Sequence, residues 1–160
     1  MNKKIIIGII VALAIPVAVY AGSPLFINET INEPLPISVT MEKSDTMMTE
    51  SGVAPEALSG SFVGVGDGIH NAEGMAKIIQ LEDGSQILRL EEFRSTNGPD
   101  LYVYLATDEK ATDFVSLGPL KANIGNQNYD IPQGTDLSKY DTALVWCKQF
   151  SVLFGHANLS

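Results

Sequence analysis

A single cysteine, set among aromatic residues near the C-terminus, is the feature of this sequence with the clearest chemical potential. Cys147 is the only cysteine of the 160-residue chain and directly follows Trp146. Phe150, Phe154 and His156 come within nine residues of it. Thiolate and imidazole groups are strong ligands for transition metals and haem iron, and a thiol can itself be oxidised. The segment therefore predicts a redox thiol or a cofactor site whose apolar walls are aromatic side chains.

An inert role for the same segment is the competing interpretation. A short strand that carries Trp, Cys and Phe is also typical of the core of a β domain, where Cys147 would be a small buried hydrophobe. His70 and His156 are the candidate second ligands, but single histidines in such domains are commonly turn or surface residues. The spacing selects no particular metal, so a haem, a transition metal and no cofactor at all remain open.

Other kinds of chemistry find little support in the sequence. The glycines of Gly64-x-Gly66-x-Gly68 resemble a phosphate cradle, but no helical pattern follows them, so they predict a turn or bulge. There is no Gly-x-Ser-x-Gly motif to prepare a hydrolytic serine. The formal net charge of −9 is spread along the chain and would repel a phosphate backbone. Nucleic-acid binding is therefore excluded from the expected functions.

The N-terminal segment has the pattern of an export signal that also anchors the chain. Lys3 and Lys4 precede an uncharged run over residues 5–21, and apolar residues resume at 24–27. The whole stretch is about as long as the ~20 residues that cross a bilayer as a helix. We predict a signal-anchor over residues 1–27, with the lysines cytoplasmic and the folded domain outside the cell membrane. Small residues at 21–23 leave cleavage and secretion as the alternative.

The rest of the chain divides into a spacer and a domain. Residues 28–58 show no sustained period and contain three prolines, which predicts a flexible, extended linker. Residues 59–160 contain short β-type runs separated by turn residues at intervals of about eight to twelve. Leu101–Ala106 alternates between apolar and mixed faces, and Thr142–Cys147 is apolar on both faces, as a central strand would be.

These patterns predict the fold class. Asp83-Gly84 supplies the turn of a hairpin between two of the runs. No stretch of the domain shows a convincing helical period. We therefore expect an all-β domain, an antiparallel sandwich or barrel of about seven to nine strands. An N-terminal hydrophobic helix and the extended linker would precede it.

At several points the domain resembles a known family, the DM-thirteen domain, which is the electron-transfer DM domain found beside DOMON and cytochrome modules. The resemblance covers residues 59–159, and its elements gain specificity in combination. The matching segments are Gly60-Ser61-Phe62, His70-Asn71-Ala72-Glu73-Gly74, Glu91-Glu92-Phe93, Gly98-Pro99-Asp100-Leu101, Leu117-Gly118-Pro119, Gly125-Asn126-Gln127, Val145-Trp146-Cys147 and Phe150-Ser151-Val152-Leu153-Phe154-Gly155-His156.

The resemblance implies an all-β module in which Cys147 acts in redox chemistry. It would do so as a bare thiol or by holding a prosthetic group such as haem. Since no DOMON or cytochrome segment accompanies the domain in this sequence, the expected redox partner is a separate protein. The alternative is a non-catalytic surface interaction or adhesion module, in which Cys147 is packing and the loops at 94–100 and 131–141 meet the partner.

Overall fold

A computed structural model describes residues 27–36 and 58–160, together with residues 2–5, 10, 12–13 and 15. Within these residues the chain forms an all-β domain of ten strands, which confirms the predicted class and exceeds the predicted count. The strands are β1 Thr30–Asn32, β2 Ser59–Ser61, β3 Val63–Gly64, β4 Ala72–Gln80, β5 Gln86–Ser95, β6 Leu101–Ala106, β7 Phe114–Pro119, β8 Ile124–Ile131, β9 Thr142–Cys147 and β10 Val152–Asn158.

The strands make two five-stranded sheets, which is the sandwich alternative of the prediction. One sheet has the order β1-β8-β5-β4-β2 and the other the order β3-β10-β9-β6-β7. Neighbouring strands are antiparallel except β1 and β8, which run parallel. Leu88 and Leu90 of the first sheet and Val103 and Val145 of the second belong to one buried apolar core. Burial of this core is the main force that holds the two sheets together.

Two strands have the bounds that the sequence predicts, β6 and β9. Along β6, Val103 and Leu105 are fully buried in the core between the sheets, whereas Tyr102 lies on the outer face. Tyr104 shares that outer face but is buried, because the ring of Phe114 stacks on it with the centroids 4.2 Å apart. The alternation of side chains along a strand thus sets which residues reach the interior.

Residues 28–36 differ from the predicted linker. Thr30–Asn32 pairs with β8, and the side chain of Arg89 donates hydrogen bonds to the backbone oxygens of Glu33 and Pro34 at 3.3 and 3.2 Å. The segment 28–36 is therefore part of the sheet, and we call it the N-terminal strap. The remainder of the predicted linker, residues 37–57, lies outside the described residues.

Most of the predicted signal-anchor, residues 1–27, also lies outside the described residues. Residues 3–5, 10, 12–13 and 15 are helical. Among the residues that the structure describes, no helix is both long enough and apolar enough to cross a membrane.

The loops of the sandwich gather at two ends. Loops 65–71, 96–100 and 120–123 connect the two sheets at the end where β9 finishes, and turn 148–151 lies beside them. The strap starts at this same end, because β1 runs parallel to β8 from Thr30 opposite Ile124. We call it the Cys147 end. Loops 81–85, 107–113 and 132–141 form the distal end.

A buried polar cluster fixes loop 120–123 at the Cys147 end. Gln127 is fully buried, and its side-chain amide exchanges hydrogen bonds with both backbone groups of Ala122. The Tyr129 hydroxyl donates to the Gln127 side-chain oxygen at 2.7 Å and accepts from the Lys121 amide at 3.0 Å. Burial raises the pKa of Tyr129 above its ordinary value, so the phenol stays protonated and can donate. This part of the end is consequently held by hydrogen bonds from the interior.

Candidate functional site

Cys147 is the last residue of β9, and its sulfur is buried below the loops of that end of the sandwich. Its side chain belongs to the core, and the residue is 1% exposed. Its register neighbours are Leu101 on β6 and Val152 on β10. The thiol donates a hydrogen bond to the backbone oxygen of Pro99, with the sulfur and oxygen 3.0 Å apart. The sulfur therefore lies directly beneath loop 96–100.

Loop 96–100 fits closely over the core next to the thiol. A Cβ atom added to Gly98 would lie 2.5 Å from Cζ of Phe154, so only a residue without a side chain allows this approach. On the other side of the loop, the Lys148 amide donates to the backbone oxygen of Asp100 at 3.0 Å. Packing on Phe154 and the bond to Lys148 together hold the loop closed over Cys147.

Both segments that flank the thiol contain a non-glycine residue with positive φ. Asp100 in loop 96–100 has a φ of 56°, and Ser151 in the β9–β10 turn has a φ of 54°. Such conformations cost free energy and are found preferentially in turns and at functional sites. The backbone on both sides of Cys147 thus contains a turn residue in the left-handed conformation.

Phe154 reaches the core through an irregularity of β10. The pairing of β10 with β9 shifts between Leu153 and Gly155, which leaves Phe154 as the extra residue of a bulge. Its ring is 3% exposed and packs in the same core cluster as Cys147. The His70 ring meets it edge to face, with the centroids 4.7 Å apart. The structure therefore brings Cys147, Phe154 and His70 to one end of the core.

The other three predicted site residues lie elsewhere. Trp146 belongs to the cluster on the outer face of its sheet, because neighbouring residues of a strand point to opposite faces. Phe150 is 62% exposed in the β9–β10 turn. The His156 side chain lies 3.2 Å from a carboxylate oxygen of Glu109. The predicted pocket of Trp146, Phe150 and Phe154 around the thiol is therefore not assembled in this arrangement.

The residues around Cys147 do not fit a haem or a metal ion in this arrangement. The thiol is buried and already engaged with the Pro99 oxygen. Across the described part of the chain, no group of three or more His, Cys, Asp or Glu side chains is placed to hold a metal. His70, which packs on Phe154, directs its Nδ1 to the Asp67 carboxylate at 2.5 Å. The chemistry open to this site is that of the thiol itself.

Three asparagines that sequence reasoning did not select join the strap to the loops at this end. The Asn28 side-chain oxygen accepts from the side-chain amides of Asn97 at 3.0 Å and Asn123 at 2.9 Å. Asn123 also accepts from the Glu29 amide at 2.7 Å. Beside them is a cavity of about 320 Å³ to whose lining Ile27 contributes. No local pattern marks this cluster, because its members are far apart in sequence.

The short loop before β4 supplies a pH-dependent feature beside Phe154. The pKa of Asp67 is lowered to about 2, first by the backbone N–H of His70, then by the His70 side chain and the Ile69 amide. A depressed carboxylate pKa contributes stability above the unfolded value of 3.8, and that contribution is lost as the pH falls towards 2. We expect the amide resonances of Ile69 and His70 to shift together over this window. Asp67→Asn should abolish the shift, and a titration that persists in this variant would contradict the assignment.

The geometry defines a two-sheet β domain with one buried thiol beneath a tightly packed loop. The model of one protein family, described as Electron transfer DM13, matches residues 64–159. The match covers more than half of the chain, and the chain belongs to this family. Neither a curated protein nor a solved structure matches the chain at the significance required. Membership confirms the resemblance noted in the sequence and makes this a domain related to electron transfer.

Proposed function

We propose that this chain is a membrane-tethered electron-transfer domain, held outside the cytoplasm, and that Cys147 is its redox group. The observation that carries the proposal is a free thiol in a domain of an electron-transfer family. Within the described part of the chain, the one hydrogen bond of the thiol goes to loop 96–100, through the backbone oxygen of Pro99. Lifting this one loop would expose the sulfur without separating the sheets.

Thiol–disulfide exchange with separate redox proteins is the chemistry that such a group supports. With the loop open, Cys147 releases its proton, and its sulfur attacks a disulfide of an acceptor protein. A new S–S bond forms to Cys147, and the acceptor's other sulfur leaves with the electron pair and takes up a proton. A donor dithiol then displaces the acceptor and afterwards Cys147 itself. The net result is that one electron pair passes from the donor dithiol to the acceptor disulfide.

The tether rests on the N-terminal sequence. Lys3 and Lys4 followed by the apolar run to Ile27 favour a segment that enters the membrane with its basic end in the cytoplasm. The acidic domain would then lie outside, where thiol–disulfide chemistry is common. Its donor and acceptor are separate molecules, since a single cysteine provides no internal disulfide.

A glutathione redox titration of the full chain in lipid vesicles tests the proposed thiol chemistry. We expect Cys147 to form a reversible mixed disulfide as the ratio of oxidised to reduced glutathione is raised, while the circular dichroism of the folded domain is retained. Intact-protein mass spectrometry would detect the adduct, and Cys147→Ser is the control that cannot form it. An adduct that appears only after the domain is unfolded by denaturant would overturn the proposal.

A second candidate function is a non-catalytic surface interaction module, favoured by the depth of Cys147 in the core. At 1% exposure the side chain packs as an ordinary small hydrophobe would. Under this alternative, Cys147→Ala leaves partner binding intact and lowers stability modestly, and native glutathione leaves the thiol unmodified. The redox titration therefore separates the two candidates directly.

A further inference from the structure

The N-terminal strap meets the domain at the Cys147 end without a spacer. Ile27 lines the cavity beside Asn97 and Leu101, and the next residue, Asn28, bonds to Asn97 and Asn123. The apolar N-terminal segment ends at residue 27. A chain that leaves the membrane at this point is therefore fixed to the Cys147 end within one or two residues.

Several exposed apolar side chains lie at the same end. They come from three places, the residue just before the strap, loop 65–71 and turn 148–151. Their exposed fractions are 71% for Ile69, 62% for Phe150, 58% for Ile27 and 45% for Val65. The three loops of the distal end, all within the described residues, contribute none of the large exposed hydrophobic side chains, and the exposed residue nearest to them is Phe114 at the start of β7, at 43%. Apolar tips on several loops at one end of a domain mark an interaction surface.

The two ends also differ in charge. The segments of the Cys147 end carry three carboxylates, Glu29, Asp67 and Asp100, and two lysines, Lys121 and Lys148, of which Lys121 is paired with Glu33 of the strap. The loops of the distal end carry seven carboxylates and two lysines. Bringing carboxylates up to the apolar part of a bilayer costs free energy, so the distal end would approach a membrane at a greater cost than the Cys147 end. The loops of the distal end thus carry more of the negative charge than the loops on the side where the chain arrives.

These three observations have one common explanation, and it builds on the membrane tether proposed above. We propose that the Cys147 end rests on the lipid surface of the membrane, with Ile69 and Phe150 in the headgroup region. The covalent tether holds this end at a high effective concentration next to the bilayer, so even a weak contact persists. Loop 96–100 then lies at the membrane surface, and the redox partners of Cys147 must be proteins that reach that surface.

Photocrosslinking of the full chain in phosphatidylcholine vesicles tests this orientation. Benzoylphenylalanine would replace Ile69 or Phe150 at the Cys147 end, and Lys110 or Gln133 at the distal end. All four residues are exposed, so the probe need not disturb the core. The eight residues of β8 separate the ends by about 25 Å, at about 3.3 Å per residue. We therefore expect at least about tenfold more lipid adduct from positions 69 and 150 than from positions 110 and 133.

Alkaline carbonate extraction of the same samples separates failure of the orientation from failure of the tether. Chains that stay with the vesicles but crosslink equally from both ends, or more from the distal end, would overturn the orientation and leave the tether intact. Chains that wash off the vesicles would overturn both. Neither result depends on the chemistry of Cys147, which the glutathione titration addresses.

Discussion

Replacing Gly98 with alanine is expected to expose the Cys147 thiol while the domain stays folded. The added methyl group would lie 2.5 Å from Cζ of Phe154, so either the ring or loop 96–100 must move. Forcing an extra carbon into a packed core costs about 1–3 kcal/mol. If loop opening relieves this strain, the open population rises roughly 5- to 150-fold, because ~1.4 kcal/mol corresponds to a factor of ten. The rate at which a small thiol reagent labels Cys147 under native conditions measures that population.

Two control variants make the Gly98 experiment specific. Phe154→Leu in the Gly98→Ala background removes the ring atoms that the methyl group would meet and should return labelling towards the wild-type rate. Gly134→Ala, at a φ of 84° in open space, adds strain only within loop 132–141 at the distal end and should leave labelling unchanged. Labelling of Gly98→Ala at the wild-type rate, with circular dichroism showing a folded domain, would mean that loop 96–100 does not control access to the thiol.

The second large effect is expected at Gly125, where Ile31 of the strap pairs with β8. A Cβ at this position would lie 2.0 Å from the backbone oxygen of Ile31, and the glycine has a φ of 108°. Gly125→Ala should therefore detach the strap and cost about 3 kcal/mol, as changes that break a buried polar network do. Part of this cost arises at Arg89, which is 4% exposed and would lose the backbone oxygens of Glu33 and Pro34.

Gly84→Ala is the matched control for Gly125→Ala. Gly84 also has a positive φ, 82°, but a Cβ there meets no atom within 4 Å. It should cost only the ~1–2 kcal/mol of a left-handed alanine. Denaturant unfolding gives both free energies, and limited proteolysis should cut residues 28–36 in Gly125→Ala alone. Equal costs and an uncut strap would show that the strap stays attached despite the added methyl group, which would contradict the prediction.

Electrostatic interactions also hold the strap on the domain. Partial burial by itself raises the pKa of Glu33, but the Lys121 ammonium and the Asn128 amide lower it more, and the net pKa lies below the ordinary value. Glu33 therefore contributes stability above its unfolded pKa, and the contribution is lost as the solution is acidified. The ion pair between Glu33 and Lys121, 2.8 Å apart, holds the strap against loop 120–123.

The regular part of the fold could be predicted because it depends on local patterns. Leu101–Ala106 and Thr142–Cys147 carry the alternation and the apolar run of half-buried and central strands, and the structure has both within the predicted bounds. The strap could not be predicted, because β1 has three residues and contains no alternating period. Its position depends on Arg89, Asn128 and Lys121, which follow it by more than fifty residues.

The candidate site, like the fold, could be predicted only in part. Sequence proximity grouped Trp146, Phe150 and His156 with Cys147, but strand alternation turned Trp146 to the outer face and the turn exposed Phe150. Phe154 does join the core of Cys147, through a bulge that no sequence pattern announces. His70 reaches the same ring from a distant loop, because three connections between the sheets converge at this end.

Native-state thiol labelling of Cys147 as a function of denaturant tests the central claim most directly. A site that opens by movement of loop 96–100 exposes little surface, so its opening free energy should be well below that of global unfolding and nearly independent of low denaturant concentrations. Cys147 should therefore be labelled far faster than global unfolding permits. If instead the opening free energy and its denaturant slope equal those of global unfolding, the thiol is core packing and Cys147 is not the redox group.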